Sequence, residues 1–217
     1  MKLIRLKLQA PLQSWGERSR WDSRDTAAMP TKSAIIGLLG CCLGLERGSE
    51  QLTALDAQVH MAVRADKPGS IITDFHTVQS PKGTKLLNAE GKPRGDTILT
   101  PKQYLQDASF TVLLWGDPAV LERCVAALNH PKWTPYLGRR SCVPSVPLIP
   151  EWLEADSIDQ ALRMDAAQNA AVEVERLPGE SLRADEHLVR RADGVVDAAK
   201  NQYYSREVRA SYVLAEV

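Results

Sequence analysis

The chain has 217 residues, of which 44% are hydrophobic and 25% are charged, so it can bury a core without disulfides or metals to stabilise it. Its 27 Lys and Arg balance 27 Asp and Glu, and a net charge of zero by itself argues against nucleic-acid binding. The charge is divided, however: residues 1–107 carry 15 basic and 11 acidic side chains, and residues 108–217 carry 12 and 16. This division is compatible with a basic groove that follows phosphates, and equally with an uneven, solvated surface.

The first residues resemble a signal peptide only superficially. Met1 is followed by a lysine and several leucines, but Arg5 and Lys7 interrupt the apolar run before it reaches a membrane-spanning length. We therefore expect a soluble, cytoplasmic protein without a membrane partner.

The four cysteines do not form a recognisable framework. Cys41 and Cys42 are adjacent, Cys124 and Cys142 stand alone, and the CxxC or Cys/His spacing of a metal site is absent from the sequence. We expect reduced cysteines that pack as small apolar residues. A cofactor fingerprint is also absent, so the sequence predicts neither a metal nor a cofactor.

Alternation and capping predict the elements of the first half of the chain. Residues 3–9 alternate as a half-buried strand with a basic second face. Thr31 is predicted to cap a helix from Lys32 to about residue 45, whose three glycines leave one side thin and suggest a close neighbour. Strands are predicted at residues 59–64, 71–76 and 110–115, with a turn at 67–69, and a helix at 117–128.

These elements follow the order βαββαβ, with one additional strand before the second helix, if one more strand follows Trp133. That order predicts an α+β, ferredoxin-like domain of the RNA-recognition-motif type, which we assign to residues 1–150. Residues 151–186 carry ten Asp and Glu against three Arg, so we expect residues 151–217 to form an acidic linker and a small antiparallel β element. Its strands are predicted at 171–177, 183–192 and 207–217.

A long insertion is predicted at about residues 77–107. A segment of this length within a compact domain is usually functional or disordered. Its basic balance favours an arm that lies along RNA or reaches a neighbouring subunit. Between His76 and Asp107 the basic residues are Lys82, Lys85, Lys92, Arg94 and Lys102, the acidic ones are Glu90 and Asp96, and the net charge is +3.

The densest cluster of RNA-binding residue types is YLGRRSC at residues 136–142. Arg139 and Arg140 can bind phosphates or stack on bases, Tyr136 offers an aromatic face, and Gly138 lets backbone amides approach a ligand. Most paired arginines are merely solvated, so the cluster alone is a weak signal.

Two further segments could line one groove with it. The segment at residues 13–16 includes Gln13 and Trp15, and the segment at residues 30–33 precedes the glycine-bearing helix. Free N–H groups at a helix start attract phosphate, and Lys32 and Ser33 would add a charge and a hydroxyl there. The spacing of a nucleotide P-loop is absent. Tryptophans such as Trp15 and Trp21 are more often core residues than stacking platforms in a soluble protein.

Metal-free RNA cleavage needs a base near the 2′-hydroxyl, so the histidines are the candidate catalytic residues. His76, in DFHT at residues 74–77, is the best of the four. A lone histidine is more often structural, and motifs of other hydrolases are absent from the sequence.

Five blocks in order carry a resemblance that extends through most of the chain. They are APLQSWG at 10–16, PTKS at 30–33 with GLLG at 37–40, DFHTV at 74–78, YLQDASFTV at 104–112 and YLGRRSC at 136–142. Together they resemble the CasD-type subunits of the type I-E CRISPR surveillance complex, Cascade, within the repeat-associated mysterious protein superfamily.

The resemblance implies a ferredoxin-like palm with residues 77–107 as its thumb. It implies a non-catalytic subunit of an RNA-guided antiviral ribonucleoprotein that binds the 5′ handle of the CRISPR RNA and caps the backbone filament. The thumb would contact the Cascade backbone subunit, the large subunit would dock nearby, and target DNA would be reached only through the complex. The RNA-binding residues expected are Gln13, Trp15, Lys32, Ser33, His76, Lys82, Lys85, Arg94, Tyr136, Arg139, Arg140 and Ser141.

One alternative stays open within the same superfamily. Type I-C subunits cut precursor CRISPR RNA without metal through a tyrosine, a lysine and a histidine, and His76 would be the catalytic residue here. That triad cannot be matched residue by residue in this sequence. A metabolic enzyme using Cys41 or Cys142 is a third class, but neither cysteine has a base in its local sequence.

Overall fold

The computed structural model describes residues 1–17, 23–81, 84–88, 90–94, 97–166, 169–197, 200 and 202–213. The strands are β1 (Lys2–Gln9), β2 (Leu12–Gln13), β3 (Val59–Lys67), β4 (Ser70–Gln79), β5 (Leu86–Leu87), β6 (Pro93–Arg94), β7 (Thr97–Gln106), β8 (Ser109–Gly116), β9 (Glu151–Glu154), β10 (Ala170–Glu175), β11 (His187–Asp197) and β12 (Gln202–Val213). The helices are α1 (Lys32–Leu43), α2 (Glu50–Gln58), α3 (Pro118–Asn129) and α4 (Ile158–Arg163). In the described part of the chain, every helix is too short or too polar to cross a membrane.

The centre of the fold is a seven-stranded antiparallel sheet in the order β11-β12-β10-β3-β8-β1-β9. Leu6 of β1 and Val112 of β8 face α1, α2 and α3 in the main core. Leu3 and Leu113 face the other way and pack with Leu162 of α4. Both faces of β8 are therefore covered, which explains why all its residues before Gly116 are buried.

Several predicted elements are confirmed. The strands at residues 3–9, 59–64 and 110–115 and both predicted helices are present, although α1 ends at Leu43 rather than near residue 45. Asp117 caps α3 by accepting a hydrogen bond from the Val120 N–H at 3.1 Å. Thr31 occupies the N-cap position of α1 without a side-chain cap; instead the Lys32 N–H donates to Asp193 Oδ2 at 2.7 Å.

The predicted insertion is a long β hairpin, and it begins earlier than expected. Residues 71–76 belong to β4, which leaves the main sheet and pairs with β7 from Ser70 opposite Gln106 to Gln79 opposite Thr97. β2 joins β7 to make a three-stranded sheet, and β5 and β6 pair near the far end. We refer to residues 70–106 as the hairpin arm.

The expected boundary at residue 150 does not divide the main sheet. β9 pairs with β1, and β10 pairs with β3, so strands on both sides of the boundary belong to one sheet. The C-terminal β element exists as the antiparallel set β10, β12 and β11. Val172 and Val174 of β10 pack with Ala62 of β3 in one apolar cluster, which is why this element extends the sheet instead of standing apart.

Candidate nucleic-acid interface

A groove runs along the outer side of α1. It consists of two adjoining cavities, with volumes of about 480 Å³ and 250 Å³, that share Ser33, Gly37, Cys41, Tyr136 and Tyr203. We refer to this feature as the α1 groove. Ser33, Gly37 and Cys41 are spaced by four residues, so they lie on the same face of the helix and form the floor of the groove.

The glycines of α1 explain why the groove is open at this point. A Cβ atom built on Gly37 would meet nothing within 4 Å, whereas one on Gly40 would lie 2.6 Å from the Leu52 side chain of α2. Gly40 therefore permits the close packing that the sequence predicted. Gly37 instead leaves free space above the helix.

The walls of the groove come from three distant parts of the chain. Trp133, Tyr136 and Arg140 come from the segment after α3, Arg47 comes from the α1–α2 connection, and Tyr203 comes from β12. Trp133 is 44% exposed and Tyr203 is 39% exposed, so their rings are available to a ligand. Aromatic faces and guanidinium groups are the side chains with which proteins hold unpaired RNA bases and phosphates.

Cys41 supports the groove wall, and its surroundings disfavour the thiolate form. Its Sγ lies 3.7 Å from the Trp133 carbonyl oxygen and 3.6 Å from that of Thr134. Burial raises the pKa of the Cys41 thiol, and the nearby Arg140 charge offsets part of that rise. Burial also raises the pKa of Cys142. Since the thiolate is the reactive form, these shifts argue against the cysteine-enzyme alternative.

The structure brings together three of the residues predicted from the sequence. Ser33, Tyr136 and Arg140 line the α1 groove, and Ser141 is exposed beside Arg140. The backbone between Tyr136 and Arg140 is tightly constrained. Gly138 has a φ of +90°, and a Cβ atom there would lie 1.6 Å from the Ser14 carbonyl oxygen, so only glycine fits this turn.

Gln13 and Trp15 do not reach the surface. Gln13 is fully buried, and its Nε2 donates to the Ala108 carbonyl at 2.7 Å. Trp15 belongs to the main core. Gln13 thus ties the first loop to the base of the hairpin arm and Trp15 packs in the core, which are structural roles instead of the predicted RNA contacts.

Lys32 is also buried, which corrects the expectation that its amine binds phosphate. Only 2% of the residue is exposed, its Nζ lies 2.9 Å from Glu175 Oε1 and 4.0 Å from Asp56 Oδ1, and Asp193 occupies the helix N-terminus. Burial alone would raise the pKa of Glu175, but the nearby His60 ring and the Lys32 ammonium lower it to about 2. The positive charge of Lys32 is thus neutralised inside the protein.

Arg139 is turned away from the α1 groove. Its Nη1 donates to the Gln103 carbonyl at 2.9 Å, and its Nη2 donates to the Arg24 and Asp25 carbonyls at 3.2 and 3.3 Å. Its guanidinium also stacks on the Tyr104 ring. The predicted pair of arginines therefore separates into one residue that clamps the base of the hairpin arm and one that lines the groove.

Three of the remaining predicted residues, His76, Lys85 and Arg94, lie on the hairpin arm. His76 is half-buried in β4 opposite Thr100 of β7 and does not line the α1 groove. Lys85 is exposed near the far end, Arg94 ends β6, and Lys82 lies outside the described residues.

The arm exposes one apolar face. Ile71 and Phe75 alternate along β4, and Leu99 lies opposite Thr77 of the same row, so these side chains share a face. Phe75 is 66% exposed, and Ile71 and Leu99 are both more than half exposed. Apolar groups arranged in this way on a solvated hairpin are typical of a contact surface for another molecule.

Three groove residues were not identified from the sequence: Arg47, Trp133 and Tyr203. Each lies in a segment without a nucleic-acid motif. They become neighbours only because α2, α3 and β12 meet around α1, so a local pattern could not have revealed them.

Known proteins are similar to this chain over most of its length. Residues 3–213 match the family model described as CRISPR-associated protein (Cas_Cas5). The chain is 38% identical over 173 residues, 72% of this chain and 74% of the relative, to the CRISPR system Cascade subunit CasD of Escherichia coli (strain K12).

Two solved structures are similar along nearly the whole chain. A chain of a "CRISPR RNA-guided surveillance complex" is 30% identical, with a TM-score of 0.78 over 98% of this chain and 90% of that one. A "Crystal structure of Cas protein" is 29% identical, with a TM-score of 0.69 over 98% of this chain and 95% of that one. The match to the family model covers almost every residue described above, and we conclude that the chain belongs to the Cas5 family of CRISPR-associated proteins.

Proposed function

We propose that this protein is a non-catalytic subunit of a CRISPR Cascade surveillance complex in the cytoplasm, where it binds the 5′ handle of the CRISPR RNA in the α1 groove and caps the backbone filament. The observation that carries this proposal is the composition of the groove. It combines exposed aromatic rings with Arg47 and Arg140 over an open helix face. Similarity to a Cascade subunit and to a chain of an RNA-guided complex supports the choice of RNA as ligand.

The strand order supports a ferredoxin-like palm. β9, β1, β8 and β3 are adjacent and antiparallel, α1 and α2 connect β1 to β3, and α3 precedes β9. If β1, β3, β8 and β9 are numbered 1 to 4 in chain order, their order across the sheet is 4-1-3-2. Helices follow strands 1 and 3 in the chain. This order agrees with the βαββαβ arrangement of ferredoxin-like domains, which supports the proposed palm. The hairpin arm, inserted between the second and third strands, would be the thumb.

The hairpin arm is the part best suited to reach the Cascade backbone subunit. Its exposed apolar face, with Ile71, Phe75 and Leu99, is available to a protein neighbour, and Lys85 adds a positive charge that can lie near RNA. The large subunit would dock beside the palm, and target DNA would be contacted only through the assembled complex.

The position of His76 favours a non-catalytic role over the endoribonuclease alternative. Cleavage through a 2′-hydroxyl needs a base within hydrogen-bonding distance of the bound RNA. His76 lies on the arm, and the residues that line the α1 groove do not include a histidine among those the structure describes. RNA held in the groove would therefore lie away from this imidazole.

The test is to incubate the purified full-length chain, without metal, with labelled CRISPR repeat RNA and to score binding and cleavage in one gel. We expect a shifted, uncut RNA and the same result for His76→Ala. Site-specific cutting that disappears in His76→Ala would make the protein a processing endoribonuclease and overturn the proposal.

A further inference from the structure

We infer that the larger cavity of the α1 groove is a pocket for one unstacked RNA base, whose face lies against Tyr203 and Trp133 while flanking phosphates pair with Arg47 and Arg140. This inference rests on the proposed RNA-binding function. The inference is more specific than that function, because the C-terminal strand β12 would contact the RNA in addition to the palm.

The residues that line the larger cavity are of the types that bind a base and its phosphates. Below the aromatic rings the cavity is apolar, with Leu45, Leu52 and Val195, and its charged residues are both arginines. The described lining residues include no Asp or Glu. An apolar interior with a cationic rim matches a flat base whose neighbouring phosphates remain near the surface.

The size of the cavity favours a single nucleotide. Its volume of about 480 Å³ lies within the range of about 300–1,000 Å³ that is usual for pockets holding a small organic group. Ser33 on the floor supplies a hydroxyl that can pair with a base edge. A base that enters must leave its stack, and aromatic side chains replace the lost stacking.

The wall that carries Tyr203 is held in place from beneath. Tyr203 pairs directly with Val195 across the β11–β12 hairpin, so both side chains face the groove. The next residue, Tyr204, donates its hydroxyl to Asp56 Oδ2 at 2.9 Å. A Cβ atom on Gly194 would lie 2.2 Å from the Tyr204 ring, so glycine at position 194 leaves the space that this ring occupies.

A fixed wall matters for binding because less side-chain and backbone freedom is lost when the ligand arrives. The anchoring continues below Tyr204, where Arg206 Nε donates to Asp193 Oδ1 at 2.7 Å and Asp193 in turn accepts from the Lys32 N–H. Asp193 of β11 thus joins the C-terminal hairpin to the start of α1.

The experiment combines protein variants with RNA that lacks single bases. Binding of the full-length chain to a fluorescent single-stranded RNA, carrying the repeat-derived 5′ segment, is measured by anisotropy. The same RNA is then made with one abasic nucleotide at each position in turn. We expect Tyr203→Ala to weaken binding to intact RNA by about 5- to 150-fold, the range of one base–aromatic stack.

On the RNA that lacks the base held in the pocket, Tyr203→Ala should cause no further loss, whereas at other positions the two losses should multiply. Losses that multiply at every position, or a Tyr203→Ala variant that binds as wild type, would overturn the base pocket. The matched control is Tyr212→Ala, a 70% exposed tyrosine on the same strand outside the groove, which should bind as wild type. Tyr203→Leu keeps apolar packing without an aromatic face and should show the same loss if Tyr203→Ala does not fold.

The double variant Arg47→Ala with Arg140→Ala separates this inference from the proposed function. If it weakens binding while Tyr203→Ala does not, the groove binds RNA and only the base pocket is wrong. If neither variant affects binding, the groove is not the RNA interface, and both the inference and the site of the proposed function are overturned.

Discussion

The guanidinium carbon of Arg139 lies 4.5 Å from the centroid of the Tyr104 ring, above the base of the hairpin arm. The next residue, Arg140, faces the α1 groove instead. Two arginines that are adjacent in the sequence therefore have separate tasks. One fixes the loop at residues 137–142 to β7, and the other is available to a ligand.

Replacing Arg139 should reduce stability. Arg139→Ala removes three hydrogen bonds to backbone carbonyls and the stacking on Tyr104, and we expect the free energy of unfolding to fall by about 2–4 kcal/mol. Urea denaturation measures the change. Arg140→Ala is the matched control and should change the free energy by less than about 0.5 kcal/mol, as is usual for exposed residues. Equal stabilities for the two variants would contradict the clamp.

Replacing Arg140 should change the salt dependence of RNA binding. Each lost phosphate contact lowers the slope of log K against log salt by about 0.7 for single-stranded RNA. Arg140→Ala should therefore bind more weakly at low salt and show a flatter slope, with unchanged melting. Arg123, an exposed arginine on α3 outside the α1 groove, provides the control. A wild-type slope for Arg140→Ala would remove Arg140 from the interface.

Lys32→Ala should affect folding and not the salt dependence of RNA binding. It leaves the buried Glu175 and Asp56 without the lysine that faces both, and breaking a buried pair in this way costs about 3–5 kcal/mol. Lys32→Met with Glu175→Gln should recover part of the loss, because the charge of Glu175 is removed together with that of Lys32. Lys200, whose side chain is 72% exposed, is the control lysine. Stable Lys32→Ala protein with a flatter salt slope would restore the original expectation of a phosphate contact.

The same buried pair predicts a pH dependence. The pKa of Glu175 is lowered from 4.5 to about 2, so the unfolded chain takes up this proton before the folded chain does. The stabilisation is therefore complete above pH 4.5 and is lost as the pH falls towards about 2. At about 1.36 kcal/mol per pKa unit, its size is about 3 kcal/mol.

Urea denaturation at pH values from neutral downwards measures this effect. Glu175→Gln should flatten the acid part of the stability curve, whereas Glu122→Gln, at an exposed position on α3, should not. The raised pKa of Asp56, caused mainly by burial, acts in the opposite direction: its contribution to stability falls as the pH rises above its ordinary value of 3.8. An unchanged acid slope in Glu175→Gln would show that the pair does not hold its charge in the folded protein.

Structural features that depend only on neighbouring residues were predicted correctly from the sequence. The alternation of residues 3–9 and the Asp117 cap needed only neighbouring residues, and both are confirmed. The burial of Lys32 could not be predicted in this way, because its partner Glu175 is 143 residues away. A lysine at a helix start is ordinarily exposed, and only the pairing of β10 with β3 brings the carboxylate to it.

The same distinction between local and long-range contacts applies to the α1 groove. Ser33, Tyr136 and Arg140 were found because their residue types suit RNA, whereas Tyr203 depends on how the C-terminal hairpin packs against α1. The hairpin arm was recognised as an insertion from its length and basic balance. Its strand register, and so its apolar face, depends on pairing between residues that are up to 36 positions apart, from Ser70 to Gln106.

The apolar face of the hairpin arm should be needed for assembly and not for folding. Phe75→Ser with Leu99→Ser removes two exposed apolar side chains, so the melting temperature should change little, because exposed groups contribute little to the core. Co-purification with the Cascade backbone subunit should fall at least about tenfold, since each buried apolar side chain contributes about 1.5–3 kcal/mol. Leu188→Ser, another exposed leucine on β11, is the control. Normal assembly of the double variant would show that this apolar face does not contact the backbone subunit. Early melting would show instead that these side chains stabilise the arm itself.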